Sequence, residues 1–124
     1  MSFRESLPDG CPPSESEELS SERVVSRLVR NNPPTEDDFR SQRSERPLVV
    51  FDVSECLARG VSVYERQADC EKTRKLPRFR RSHVCRVRLK SGAGHLQQTF
   101  KPSHHTWWPF AAFNVVEHSQ VQQS

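Results

Sequence analysis

Between Glu71 and Glu117 the sequence contains no acidic residue. Ten bases occupy that interval, Lys72, Arg74, Lys75, Arg78, Arg80, Arg81, Arg86, Arg88, Lys90 and Lys101, and a field of this kind attracts polyanions before any contact forms. Glycine is scarce: four residues against nine prolines imply stiff, extended connections, and no phosphate-cradling loop motif occurs. The four cysteines, at 11, 56, 70 and 85, never form a Cys-x-x-Cys pair, which excludes a preorganised zinc knuckle or dithiol redox motif. All four are expected as free thiols, three of them small buried residues and Cys11 an incidental tail thiol. The longest apolar runs, such as Leu48–Phe51, are far too short to span a bilayer, and Met1–Ser6 lacks a basic region leading into an apolar one. The expectation is a cytoplasmic protein with no membrane partner.

With 33% hydrophobic residues and a mean hydropathy of −0.80, the core of this 124-residue chain must be small. The net charge of +3 conceals an asymmetry, since residues 1–22 hold six acids and one base. The acidic segment is suited to the chain's own basic body or to a protein partner.

Taken in order, residues 1–13 have the composition of a disordered acidic tail, and 14–118 that of a single α+β domain. Ser14 with Glu17 fits a capping box, and the acids that follow suit the start of an N-terminal helix, although Leu19, Val24, Val25, Leu28 and Val29 make only a partial stripe. Thr35 caps a second, short helix running to Phe39. Pro47–Val53 has the β-branched run of a strand, Ser54–Arg59 one or two helical turns, and Gly60 suits a left-handed helix end. Val61–Tyr64 alternates as a strand and 65–76 favours helix. From Ser82 to Lys90, His83, Cys85, Val87 and Leu89 lie on one strand face and Arg86, Arg88 and Lys90 on the other. Ser91–Gly94 turns the chain back, His95–Lys101 forms a return strand, and Phe110–Glu117 a last one. Residues 119–124 are expected to be a flexible C-terminus. The fold class is then α+β: an N-terminal helix and a small, mainly antiparallel sheet with one or two packed helices.

Chemistry concentrates in Ser103–Pro109, where two histidines and both tryptophans adjoin, and the segment is expected to be a pocket wall. His104, His105 and Thr106 are the catalytic or anion-binding candidates, one of the histidines being placed for general-base work near neutral pH. The alternative is a histidine satisfied by a backbone carbonyl. Trp107 and Trp108 can stack a base, or simply fill the core. Arg78, Arg80, Arg81, Arg86, Arg88 and Lys90 form a cationic stripe suited to a phosphate backbone, the alternative being a solvated sheet face. A zinc site from His83, Cys85, His95 and His104 lacks the usual paired-cysteine spacing, so no metal is assigned.

Three blocks, Pro33-Pro34-Thr35 with Asp38-Phe39, Ala58–Tyr64 and Ser103–Pro109, resemble in that order a group of short bacterial proteins, over roughly residues 30–116. That resemblance assigns no activity. Gly60–Tyr64 followed by a helix is also similar to the glycine-led strand and helix of the ADP-ribosyltransferase-like fold, where split sheets close around a nicotinamide nucleotide. This likeness implies Arg59, Ser62 and Tyr64, with Trp107 and Trp108, around a cofactor. The family usually places a glutamate on a late strand, and the only late acid here is Glu117. Three functions follow: a binding module for a phosphate-bearing partner, nucleic acid or nucleotide; a transferase-like enzyme using NAD; and a protein-interaction subunit with an acidic tail and basic body. No motif names a cofactor.

Overall fold

The computed structural model describes residues 1–122. Among these, one antiparallel sheet dominates. Its strands are β1 (Glu17–Glu18), β2 (Arg23–Val29), β3 (Val61–Tyr64), β4 (His83–Leu89), β5 (Gly94–Gln98), β6 (His104–Pro109) and β7 (Ser119–Val121), in the spatial order β1-β5-β6-β3-β2-β4-β7. The helices α1 (Gln42–Glu45), α2 (Glu55–Ala58) and α3 (Gln67–Arg74) are short. Three 3-10 turns, at Glu36–Phe39, Pro77–Phe79 and Val116–His118, complete the connections.

The expected N-terminal helix of an α+β fold is therefore corrected: that segment enters the sheet as β1 and β2. Val24, Val25 and Val29 are β-branched and favour the extended chain. β2 runs in register along all of β4, from Arg23↔Leu89 to Val29↔His83. Two of the acids that suggested a helix start pair with arginines instead, Glu17 meeting Arg23 at 2.8 Å and Glu22 meeting Arg88 at 2.9 Å. The Thr35 start, the Val61–Tyr64 strand, the helix after it and the alternation of β4 all form as expected.

For the expected return strand, partners far away in sequence decide the pairing. β5 does not fold back on β4 but pairs with β6 and β1. Gly94 permits this, because its φ is +130° and a Cβ there would strike the Trp108 carbonyl. Gly60 does not take the left-handed conformation; it is needed because a side chain would strike Thr106 and the Trp108 indole. Pro47–Val53 is a loop rather than a strand. The Arg43 guanidinium takes the carbonyls of Pro47 and Val49 at 2.8 and 2.9 Å, leaving Leu48 and Val50 more than nine-tenths exposed. The expected strand Phe110–Glu117 does not form: β6 ends at Pro109, and residues 110–118 turn into β7, which lies within the expected flexible C-terminus.

The first residues, expected to be loose, are joined to the sheet. Phe3 bridges Phe110, Arg4 N–H donates to the Pro109 carbonyl at 2.9 Å, and Cys11 forms a disulfide with Cys56. Those two cysteines are thus not free thiols, whereas Cys70 and Cys85 are buried ones.

Val25, Val29, Val61, Val63, Cys85, Val87, Leu89, Leu96 and Trp107 build one core, closed by Phe39 and Val115 from the connections. β2 and β3 meet at the single register pair Ser26↔Tyr64, so the β4 side and the β6 side of the sheet are joined by a minimal seam. No helix among the described residues is long and apolar enough to cross a membrane.

Candidate functional site

Within the Ser103–Pro109 segment, residues 105–109 are buried in the sheet, while Ser103 and His104 line a depression. Trp107 and Trp108 are buried, and each indole N–H is satisfied, by the Ala93 carbonyl at 3.0 Å and the Cys56 carbonyl at 2.9 Å. Neither ring offers a free face for stacking. His105 is also buried, with Nδ1 3.1 Å from the Ser103 carbonyl, so the backbone satisfies it. His104 differs. It is half-buried, its Nδ1 lies 2.9 Å from Thr99 Oγ1, and Thr99 Oγ1 lies 2.9 Å from Thr106 Oγ1. Burial lowers the pKa of His104, so its imidazole is neutral at pH 7.

At the β2/β3 seam lies a cleft of three adjoining concavities, about 480, 470 and 390 Å³ in volume, within the range of ligand sites. Arg27 and Arg30 line all three, and Arg46 and Arg78 line two each. Ser62, Tyr64 and His104 form part of the opposite wall.

Arg27 is the floor of this cleft. Its guanidinium donates to the carbonyls of Ser62 at 2.7 Å, Asp38 at 2.9 Å and Arg40 at 3.3 Å, and to no carboxylate. Burial pulls its pKa below the ordinary value and the field of Glu45 partly restores it, but a guanidinium stays charged. Strand parity explains its position. Val25, Arg27 and Val29 share a face of β2, so the arginine is carried inward with the valines and must bond whatever oxygens the seam provides.

Around it the backbone is fixed by Asp38. Burial would raise the pKa of that carboxyl, but hydrogen bonds from the Thr35, Arg30 and Asn31 N–H groups and from the Asn31 amide hold it below the ordinary range. Asp37 is taken by Arg40 at 2.7 Å. Among the described residues Arg27, Arg30, Arg46 and Arg78 have no carboxylate within 4.0 Å. Glu45 lines all three concavities and, like Asp38, makes no such pair. The balance is cationic, and Arg27 hydrogen-bonds only to carbonyl dipoles.

Of the residues singled out from sequence, the structure brings Arg78, Ser62, Tyr64 and His104 to this cleft. It places the others elsewhere. Arg86 and Arg88 line a separate depression with Glu117, and Arg88 is neutralised by Glu22. Arg80, Arg81 and Lys90 are exposed on turns. Arg59 joins Arg43 on Glu55, at 2.8 Å each, and these two hydrogen bonds bring the Glu55 pKa to about 2. His83 and Cys85 lie on β4, four places along the sheet order from His95 on β5, so the zinc set does not assemble. Sequence reasoning missed Arg27, Arg30, Arg40 and Arg46. The available signal was an arginine spaced by two from valines on either side, legible once that segment is read as a strand.

No family model, curated protein or solved structure matches this chain.

Proposed function

We propose that the protein is a binding module for a phosphate-bearing ligand, a nucleotide or a nucleic-acid strand, held in the cleft at the β2/β3 seam. The observation that carries this is Arg27: a half-buried guanidinium whose hydrogen-bond partners are three carbonyls and no carboxylate. A charge left in that state favours an incoming anion, because the fold has already met part of the desolvation and the Coulomb gain exceeds that at a fully solvated cation. Arg30, Arg46 and Arg78 extend the same field to the mouth, and planar guanidinium forks suit phosphate oxygens.

The test is fluorescence anisotropy of a labelled single-stranded 12-nucleotide DNA, competed with inorganic pyrophosphate. Arg30→Ala/Arg78→Ala is expected to weaken binding at least tenfold and to flatten the slope of log affinity against log salt by about 1.4, for two lost phosphate contacts at about 0.7 each. Loss confined to Arg86→Ala/Arg88→Ala, with the cleft variant unchanged, would move the site to the β4 stripe and overturn the proposal.

A second reading, the NAD-using transferase, draws on Ser62 and Tyr64 facing the cleft from a strand followed by a helix. Its late glutamate does not join them, since Glu117 lines the other depression. Glu45 is the carboxylate such an enzyme would have to use, and NAD consumption by the wild type that is lost in Glu45→Gln would favour it. For the interaction-subunit reading, the Glu17–Arg23 and Glu22–Arg88 pairs support an acidic segment spent within the chain. The Cys11–Cys56 bridge supports an oxidising compartment over the cytosol.

A further inference from the structure

His104 stands between two concavities. On one side is the arginine cleft, where it lines the concavity of about 390 Å³ together with Arg27, Arg30 and Arg78, which outnumber Glu45 there. On the other is the depression that it lines with Ser103, about 370 Å³ in volume, where Lys72 and Lys101 stand. Neither lysine has a carboxylate within 4.0 Å among the described residues, and Asp69, the acid of that depression, is taken by Arg66 at 3.0 Å. Tyr64 and Thr73 line both hollows as His104 does, so the two share a wall. A polyanion crossing from one cationic hollow to the other passes this histidine.

The ring is anchored at one nitrogen and open at the other. Where β5 and β6 meet, the Thr99 N–H donates to the His104 carbonyl at 2.9 Å, and this pairing sets Thr99 Oγ1 2.9 Å from His104 Nδ1. Thr106 Oγ1 lies 2.9 Å from Thr99 Oγ1 and holds that hydroxyl in turn. Nε2 has no hydrogen-bond partner among the described residues, and no buried side-chain nitrogen or oxygen among them lacks one, so Nε2 is reached by solvent. Burial keeps the imidazole uncharged at pH 7, the form in which it can accept a proton.

We infer that the protein cleaves RNA, with His104 Nε2 as the general base and the scissile phosphate held by Arg30 and Arg78 while the strand continues toward Lys72 and Lys101. The inference rests on the phosphate-binding reading and narrows its ligand to an RNA strand. With its proton on Nδ1, the ring donates to Thr99 Oγ1, which donates to Thr106 Oγ1, and the Nε2 lone pair is free. Nε2 takes the proton of a 2′-hydroxyl, whose oxygen attacks the adjoining phosphorus. The P–O2′ bond forms and the P–O5′ bond breaks, the leaving oxygen takes a proton from water, and the histidine returns its own to solvent. The products are a 2′,3′-cyclic phosphate and a 5′-hydroxyl. The guanidiniums stabilise the charge that gathers on the five-coordinate phosphorus. RNA suits the site because it brings its own nucleophile to a cleft that supplies cations and a base, and DNA has no hydroxyl at that position.

The experiment incubates the full chain, in buffer containing EDTA, with a labelled single-stranded RNA and with the same strand fully 2′-O-methylated. The wild type is expected to bind both and to cleave the unmethylated strand alone, leaving cyclic phosphate ends that mass spectrometry identifies. His104→Gln should slow cleavage by about a hundredfold or more, as loss of a general base does, and still bind the methylated strand, which also shows that it folds. Thr99→Val, which removes the partner of Nδ1, is the independent check: kcat should fall with KM unchanged, whereas a lower Tm with unchanged kcat overturns the positioning of His104. Arg30→Ala/Arg78→Ala should weaken binding of both strands. A wild type that binds the methylated strand and leaves the RNA intact overturns the cleavage and leaves the phosphate site standing. Binding of neither strand overturns both. Cleavage that survives undiminished in His104→Gln overturns the assignment of the base.

Discussion

Replacing Trp107 by Phe separates a core tryptophan from a stacking platform. The ring is fully buried, lies edge-to-face with Phe113 at 5.9 Å, and donates to the Ala93 carbonyl at 3.0 Å. Losing that hydrogen bond removes about 1 kcal/mol, and no more, because the Ala93 carbonyl keeps the Phe110 N–H at 3.0 Å and is not orphaned. The smaller ring leaves a void of roughly 40 Å³, about 1 kcal/mol at about 24 cal/mol per Å³. The total, about 2 kcal/mol, should appear in urea unfolding as a lower midpoint at unchanged slope and lower Tm by about 8 °C at roughly 4 °C per kcal/mol. Affinity for the oligonucleotide should not change. A loss below about 0.5 kcal/mol accompanied by weaker binding would show that the indole works at the surface, contrary to its burial.

Other consequences follow from particular contacts. Reducing the Cys11–Cys56 bridge, whose cysteines are 45 residues apart, should lower unfolding free energy by about 4 kcal/mol on chain-entropy grounds, read as a shift in urea midpoint; an unchanged midpoint would mean the N-terminal segment is not held. Glu55 titrates at about 2 in the folded state, below the ordinary carboxyl value. Its stabilising contribution is therefore present above about pH 4.5 and lost as pH falls toward 2, and Glu55→Gln should flatten the stability profile across that window. Leu48→Ser/Val50→Ser, at 96% and 93% exposure, should leave Tm within about 1 °C and improve solubility.

What could be read from sequence was what local chemistry decides. The alternation of β4, the Thr35 start and α3 depend on neighbours within a few positions, and each formed as its pattern implied. β2 was illegible because Val24, Val25, Leu28 and Val29 fit a helical stripe and a strand alike, and the acids before it mimic a helix start. Their true partner, Arg88 for Glu22, is 66 residues away. Ser103–Pro109 was conspicuous by composition, but its aromatic rings went to the core once β3 and β5 paired on either side of β6. The cleft exists because two strands touch at one register pair, a property of the assembled sheet that no single segment encodes. Arg27 left a trace of it, as a cation at strand spacing between valines.

A phosphate held in the cleft floored by Arg27 must be felt by that guanidinium. The most direct measurement is the arginine side-chain Nε–H region of a ¹H–¹⁵N spectrum during titration with inorganic pyrophosphate, with Arg27→Lys and Arg88→Lys spectra as assignments. The Arg27 Nε–H, held by the Asp38 carbonyl at 2.9 Å, should be protected enough to observe. Saturable shifts of Arg27 with a still Arg88 resonance are the predicted result. Shifts confined to Arg88, or none at saturating pyrophosphate, would contradict the account.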